Sequence, residues 1–255
     1  MTTQQMLSPL RKAIQKYALI QDGDSVAVGV SGGKDSVTLL KLLGEYRRFS
    51  PERFSLAGIC VDLGFGGRRA DLSGVEKMCE ELGARFYVEE TDIAQVVFDV
   101  RKEKNPCALC SRMRKGALYT AAKRLGANKI ALGHHADDLT DTFLLSLFYE
   151  GRLSTFSPKS YLSRTSLTLI RPMLFIKEAD IKAYAKDLPV NKSACPADNA
   201  TKRTFVKNTL KTLSEQVPDI REMIFTALIH PERYNLLNKD YAELFPAGEE
   251  KENEE

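Results

Sequence analysis

Short runs rich in apolar and β-branched residues, at 25–30, 55–61, 85–88, 129–132 and 167–170, alternate along this chain with stretches of helical periodicity at 35–47, 71–82, 111–125, 138–149 and 177–186. A strand followed by a helix and then another strand returns to the same sheet by a crossover, and such crossovers are right-handed. The alternation therefore predicts an α/β fold, a doubly wound parallel sheet with helices on both faces and further C-terminal helices from about 200 to 243. Ligands of such sheets bind beyond the carboxyl ends of the strands, so the residues that follow each strand are where chemistry is to be sought. With 255 residues and 43% hydrophobic composition, the chain can bury a substantial core.

The first strand runs into Ser31-Gly32-Gly33-Lys34-Asp35-Ser36 and then at once into an apolar helical run (Val37, Leu39, Leu40, Leu42, Leu43). Glycines let backbone approach a ligand closely, the hydroxyls of Ser31 and Ser36 add donors, and a helix N-terminus brings partial positive charge, so the segment suits a phosphate or pyrophosphate. Lys34 adds a full charge. A Walker loop would need Gly at the position of Val28 and Ser or Thr at that of Asp35, which disfavours a kinase or motor ATPase. SGGKDS instead resembles the signature of the PP-loop ATP pyrophosphatases. That resemblance implies a Rossmann-like fold of the adenine nucleotide alpha hydrolase type, attack on the α-phosphate of ATP, and AMP and pyrophosphate as products.

Two further strand ends carry candidates. Asp62 closes the second strand where an acid can meet a nucleotide ribose, or where it can simply hold a turn, and both readings stand. The fourth strand leads into Gly133-His134-His135-Ala136-Asp137-Asp138. Adjacent residues point in different directions, so these four polar side chains do not share one ion, and one of the two Asp is expected to cap the following helix. The segment resembles the G-H-x-x-D-D stretch of PP-loop tRNA-modifying enzymes. By that resemblance Gly133 and His134 contact the nucleotide, and Asp138 serves magnesium or substrate activation, which suits an ion that takes oxygen ligands and travels with a triphosphate.

Of the five cysteines, Cys60 and Cys79 fall inside a strand and a helix and read as small core residues. Cys107-Ala-Leu-Cys110 lies between Pro106 and a basic helix, and Cys195 stands in the loop Ala194-Cys195-Pro196. Spacing alone leaves structural zinc, a redox disulfide and an iron–sulfur cluster open. The span PCALCSRMRKGALY, then GANKIALGHHADD, then LIRPMLFIKEADIKAYA, is similar to the TtcA family of tRNA 2-thiocytidine synthetases. The similarity runs over most of the chain from Ser25 to about Leu210. It implies a 4Fe-4S cluster held by Cys107, Cys110 and Cys195, with ATP and Mg²⁺ as the other cofactors. It also implies tRNA as substrate, sulfide or a cysteine desulfurase as sulfur donor, and a homodimer. One departure is Cys195-Pro-Ala-Asp198, where the family often has a second CxxC-like pair.

The formal net charge of +3 is too small to argue for nucleic acid by itself, but its distribution is uneven. Between Lys104 and Ala136 lie seven Lys or Arg and no acid. Arg112, Arg114, Lys115, Lys123 and Arg124, with Lys202, Arg203 and Lys207 farther on, are candidates for RNA phosphates or for a solvated, salt-bridged face. Arg114 can also turn inward to phosphate in the transition state. No apolar run is long enough to span a bilayer and the N-terminus lacks a signal peptide pattern, so a cytoplasmic protein with no membrane association is expected. The expected organisation is an N-terminal helical segment (1–24), a nucleotide-binding catalytic domain (25–195), a C-terminal helical appendage (196–245) and an acidic disordered tail (246–255). Two rival functions remain: an adenylating enzyme of this class acting on another tRNA base or a small molecule, its cysteines binding zinc or carrying a persulfide, and a non-catalytic adenine-nucleotide sensor.

Overall fold

The computed structural model describes residues 1–67, 70–101, 106–191 and 202–234. Its centre is a six-stranded sheet made of β1 (Ser25–Val30), β2 (Ser55–Asp62), β3 (Arg85–Glu90), β4 (Lys129–Ala131), β5 (Lys159–Leu162) and β6 (Leu167–Ile170), in the spatial order β3-β2-β1-β4-β6-β5. Every pairing is parallel except that of β5 with β6. The edge strand β5 has no counterpart among the strands expected from sequence. It is four residues long, polar and half exposed, and it pairs through a tight hairpin in which Ser166 takes a positive φ of 56°.

The helices are α1 (Thr3–Lys16), α2 (Lys34–Arg47), α3 (Ser73–Glu81), α4 (Pro106–Arg124), α5 (Ala136–Glu150), α6 (Glu178–Tyr184), α7 (Lys202–Ser214) and α8 (Ile220–Ile229). Strand periodicity divides the core. Val26, Val28 and Val30 of β1 join α1, α2 and α3 on one face, whereas Ala27 joins Leu118, Ala121 and Ala122 of α4 on the other. Each fully buried leucine of α2 (Leu39, Leu40, Leu42, Leu43) contributes about 1.5–3 kcal/mol of apolar burial, which anchors the helix that starts at the glycine-rich loop. A third, smaller cluster of Leu144, Val206 and Leu210 seats α7 and α8 on α5.

Lys129, counted within the basic run, does not face solvent. Its ammonium pairs with Asp24 at 2.6 Å, both side chains being almost wholly buried, and donates to the carbonyl of Leu19 at 2.9 Å. This pair ties β4 to the turn that precedes β1. Because β2 and β3 lie to one side of β1 and β4 to the other, the loops after β1 and β4 leave the sheet at the point where strand order reverses. Doubly wound sheets form their ligand crevice there.

Candidate active site

The loop after β1 is held by its own hydroxyls. Ser36 Oγ accepts from the N–H of Ser31 at 3.0 Å, lies 3.1 Å from Ser31 Oγ, and donates to the carbonyl of Gly33 at 3.0 Å. Ser36 is thus buried in shaping the loop, while Ser31 is exposed beside it. Gly32 sits at φ +77°, a conformation natural to glycine, and its carbonyl accepts the N–H of Asn191 at 2.8 Å. Gly33 caps α2 in an extended conformation without a side-chain cap, so the first-turn N–H groups of α2 present the donors and dipole that favour an anion.

Gly133, after β4, lies directly against this loop. A Cβ there would stand 3.0 Å from the carbonyl carbon of Asp35 and 3.1 Å from the nitrogen of Ser36, so glycine lets this loop sit against the first turn of α2 without displacing its backbone. Beyond it, the half-buried His134 ring packs 5.0 Å from Phe156, whose other neighbour is the Arg171 guanidinium at 5.0 Å. Burial first, and then the Arg171 charge, push His134 down to about 4, so this imidazole is neutral at physiological pH. The N-cap of α5 is His135, not either Asp as expected from sequence. Asp138 occupies the third helical position and accepts the backbone N–H of His135 at 3.3 Å. The His135 ring is buried among Asp138 at 3.4 Å and Asp35 and Asp137 at 3.8 Å.

The charged groups form one chain of contacts across the crevice. Lys34 Nζ bonds both oxygens of Asp35, at 2.8 and 3.0 Å, and reaches Glu178 at 3.1 Å. Burial opposes the Lys34 charge, but the hydrogen bonds and attraction from Asp35 and Glu178 outweigh it and raise its pKa. Burial likewise opposes ionisation of Glu178, yet Lys34, followed by Lys207 and Lys182, brings it down to about 2. The C-terminal helices close the chain: Arg203 meets Asp138 at 3.2 Å, and Arg221 meets Asp141 at 2.9 Å and Asp137 at 3.6 Å.

This arrangement revises the expectation for the basic surface. Lys202 stands 4.4 Å over the Tyr149 ring, Arg203 is bound to Asp138, Lys207 lies 3.9 Å from Glu178, and Arg124 pairs with Glu89. Arg112, Arg114, Lys115 and Lys123 remain exposed on α4. Arg114 is close enough to β2 for its charge to be felt by Cys60. Asp62 is buried and committed to its turn, accepting the N–H of Gly64 and of Ala70 at 3.0 Å each.

Cys107 and Cys110 lie within the first turns of α4, which begins at Pro106 rather than at 111; Cys107 is exposed and Cys110 half-buried. At this i, i+3 spacing their side chains share one face of the helix. Cys195 and Asp198 fall outside the described residues, and among the described residues no group of three or more His, Cys, Asp or Glu is placed to hold a metal. Cys60 and Cys79 are buried, and burial, helped by Asp62 and by Glu76 respectively, pushes both thiols up to about 11, as befits core residues. The sequence reading passed over Glu178, Arg221 and Asn191, and weighed His135 only as a metal ligand rather than as the cap of α5. Only Glu178 carried a signal, as an acid opening a helix after the last strand.

Comparison with known proteins now adds to this geometry. The PP-loop domain family matches residues 3–213. The tRNA-cytidine(32) 2-sulfurtransferase of Syntrophotalea carbinolica is 40% identical over 232 residues, covering 89% of each chain. That of Citrifermentans bemidjiense is 37% identical over 233 residues, 89% of this chain and 91% of the other. The chain belongs to the PP-loop family of tRNA-cytidine 2-sulfurtransferases. Among solved structures, this PP-loop protein is similar to the U34-tRNA thiolase NcsA from Methanococcus maripaludis, determined with its 4Fe-4S cluster. The TM-score is 0.72 at 25% identity, with 92% of this chain and 80% of that one covered. Among the described residues of the PP-loop protein, no helix is long and apolar enough to cross a membrane.

Proposed function

We propose that the protein is an ATP-dependent tRNA sulfurtransferase that adenylates the C2 oxygen of a tRNA cytidine and replaces that oxygen with sulfur. The observation that carries this reading is the contact of Gly133 with the Asp35–Ser36 backbone. It sets an anion-binding loop with its lysine beside the helix start that bears Asp138.

The C2 oxygen attacks the α-phosphorus of ATP, and the bond to the β-phosphate oxygen breaks. Lys34 and the first-turn N–H groups of α2 take up the charge that develops on the departing pyrophosphate. Ser31, Gly32, Gly33, Asp35 and Ser36 form the cradle, and Gly133 and neutral His134 flank the nucleotide. Asp62 is left to its turn, and Arg114, exposed on α4, is the further cation assigned to phosphate in the transition state. Asp138, a carboxylate already paired with the Arg203 cation, would hold the Mg²⁺ bound to the ATP phosphates, and that ion would offset phosphate charge there. A sulfur nucleophile then adds at C2, and AMP leaves with the original oxygen.

Two thiols on one face at the accessible start of α4 fit a 4Fe-4S cluster held by Cys107, Cys110 and Cys195. When bound, such a cluster with three protein ligands supplies an open iron position for sulfide. Exposed Arg112 and Lys115 near the thiols, and Lys123 farther along the same helix, suit tRNA phosphates. Sulfide is the donor, supplied as such or released from the persulfide of a cysteine desulfurase by a thiol that reduces it with two electrons. The protein works in the cytoplasm as a homodimer.

Iron, acid-labile sulfide and zinc in protein purified without oxygen test the cluster assignment. About four irons per chain with visible absorption is the expected result. Zinc in place of iron, or full activity of Cys195→Ala, would overturn it and leave the adenylation reading standing.

A further inference from the structure

Glu178, the first residue of α6, gathers cations from three elements. One carboxylate oxygen takes Lys34 of α2 at 3.1 Å, and the other lies 3.3 Å from Lys182 and 3.9 Å from Lys207 of α7. Its backbone N–H donates to Asp137 at 2.7 Å, so the position of the residue is fixed independently of its side chain. An acid in the first turn of a helix gains from the helix dipole, but that gain requires no lysine from the opposite loop.

Lys34 has a second anchor in its chain neighbour Asp35, which grips it through both oxygens. Without Glu178, that two-point grip leaves the flexible lysine stem folded against its own loop. We infer that Glu178 is a positioning residue for pyrophosphate departure, holding the Lys34 ammonium out across the loop mouth and tying that point to α7 through Lys207. A charge held in place before the reaction stabilises developing charge without reorganising. The carboxylate itself repels phosphate, so removing its charge is not expected to weaken ATP binding. This inference rests on the reading of Lys34 as the group that meets the leaving pyrophosphate.

The test compares tRNA-dependent pyrophosphate release by wild type, Glu178→Gln, Glu178→Asp, Lys34→Ala and the double variant Lys34→Ala/Glu178→Gln. Glu178→Gln keeps the shape and the backbone bond to Asp137. It is expected to lower kcat by about tenfold to a hundredfold, the range for a displaced catalytic group, with the KM for ATP unchanged or lower. Glu178→Asp, charged but shorter by one methylene, recovers part of that rate. In single-turnover measurements, the double variant is no slower than Lys34→Ala alone. Wild-type kcat in Glu178→Gln, or a double variant slowed beyond Lys34→Ala by the full single-variant factor, overturns the inference. A wild-type protein that releases no pyrophosphate with ATP and tRNA overturns the underlying functional reading instead.

Discussion

Gly133→Ala is the most pointed perturbation the fold offers, because the added methyl meets backbone on the other loop and not a side chain that can swing away. Its Cβ would lie 3.0 Å from Asp35 C, 3.1 Å from Asp35 O and 3.1 Å from Ser36 N. Carbon contacts settle at about 3.5 Å or more, so the loops must part by roughly half an ångström. Overpacking of this kind costs about 1–3 kcal/mol. For a protein of this size that lowers Tm by roughly 3–10 °C. A shift of about 1 Å in reacting groups costs on the order of a hundredfold in rate, so half of that displacement predicts about tenfold lower turnover. The matching control is Gly116→Ala, on an exposed turn of α4 with nothing within 4 Å of its new Cβ. That change is expected to stabilise by about 0.5–1 kcal/mol through helix propensity. Thermal melting and pyrophosphate release on the same preparations read both effects. A Gly133→Ala protein that melts and turns over like wild type would refute the claim that the two loops depend on this contact.

Lys129→Ala strands Asp24 as a buried charge and is expected to cost about 3–5 kcal/mol in denaturant titrations, with much of the loss recovered in Lys129→Met/Asp24→Asn. Because the folded pKa of Glu178, about 2, lies below its ordinary 4.5, its ion pairs stabilise the fold fully above pH 4.5. That contribution is lost as pH falls from 4.5 towards 2, so wild-type stability should drop more steeply over this window than that of Glu178→Gln. A thiol-alkylating reagent applied near neutral pH to metal-free protein should label the exposed Cys107 quickly and the buried Cys60 and Cys79 slowly, as peptide mass spectrometry would reveal. Equal labelling of all three would contradict their placement.

The legible parts of the sequence were those whose signal is local. Val26, Val28 and Val30 announce a buried strand, and SGGKDS followed by Val37, Leu39 and Leu40 announces a loop running into a buried helix. Where the signal was weak or distant, the reading missed. The edge strand β5 is short, polar and half exposed, so no run of apolar residues marks it. Helical periodicity places the start of α4 at 111, whereas the helix begins at Pro106, a residue at home in a first helical turn. Arg203 reads as a solvated or RNA-facing cation and Arg221 carries no signal at all, since nothing local shows that each finds its acid 65 and 80 residues earlier. The same distance hid Glu178, whose meaning comes from a lysine brought to it by the sheet.

The central claim is that ATP-driven activation and sulfur insertion occur on one cytidine base of tRNA. It is tested most directly by incubating anaerobically purified protein with ATP, Mg²⁺, sulfide and unmodified tRNA, then digesting the tRNA and measuring its nucleosides by mass spectrometry alongside AMP and pyrophosphate. The account predicts 2-thiocytidine that requires ATP and appears in step with AMP and pyrophosphate. Pyrophosphate release with every cytidine unmodified, or sulfur found on a different base, would contradict it.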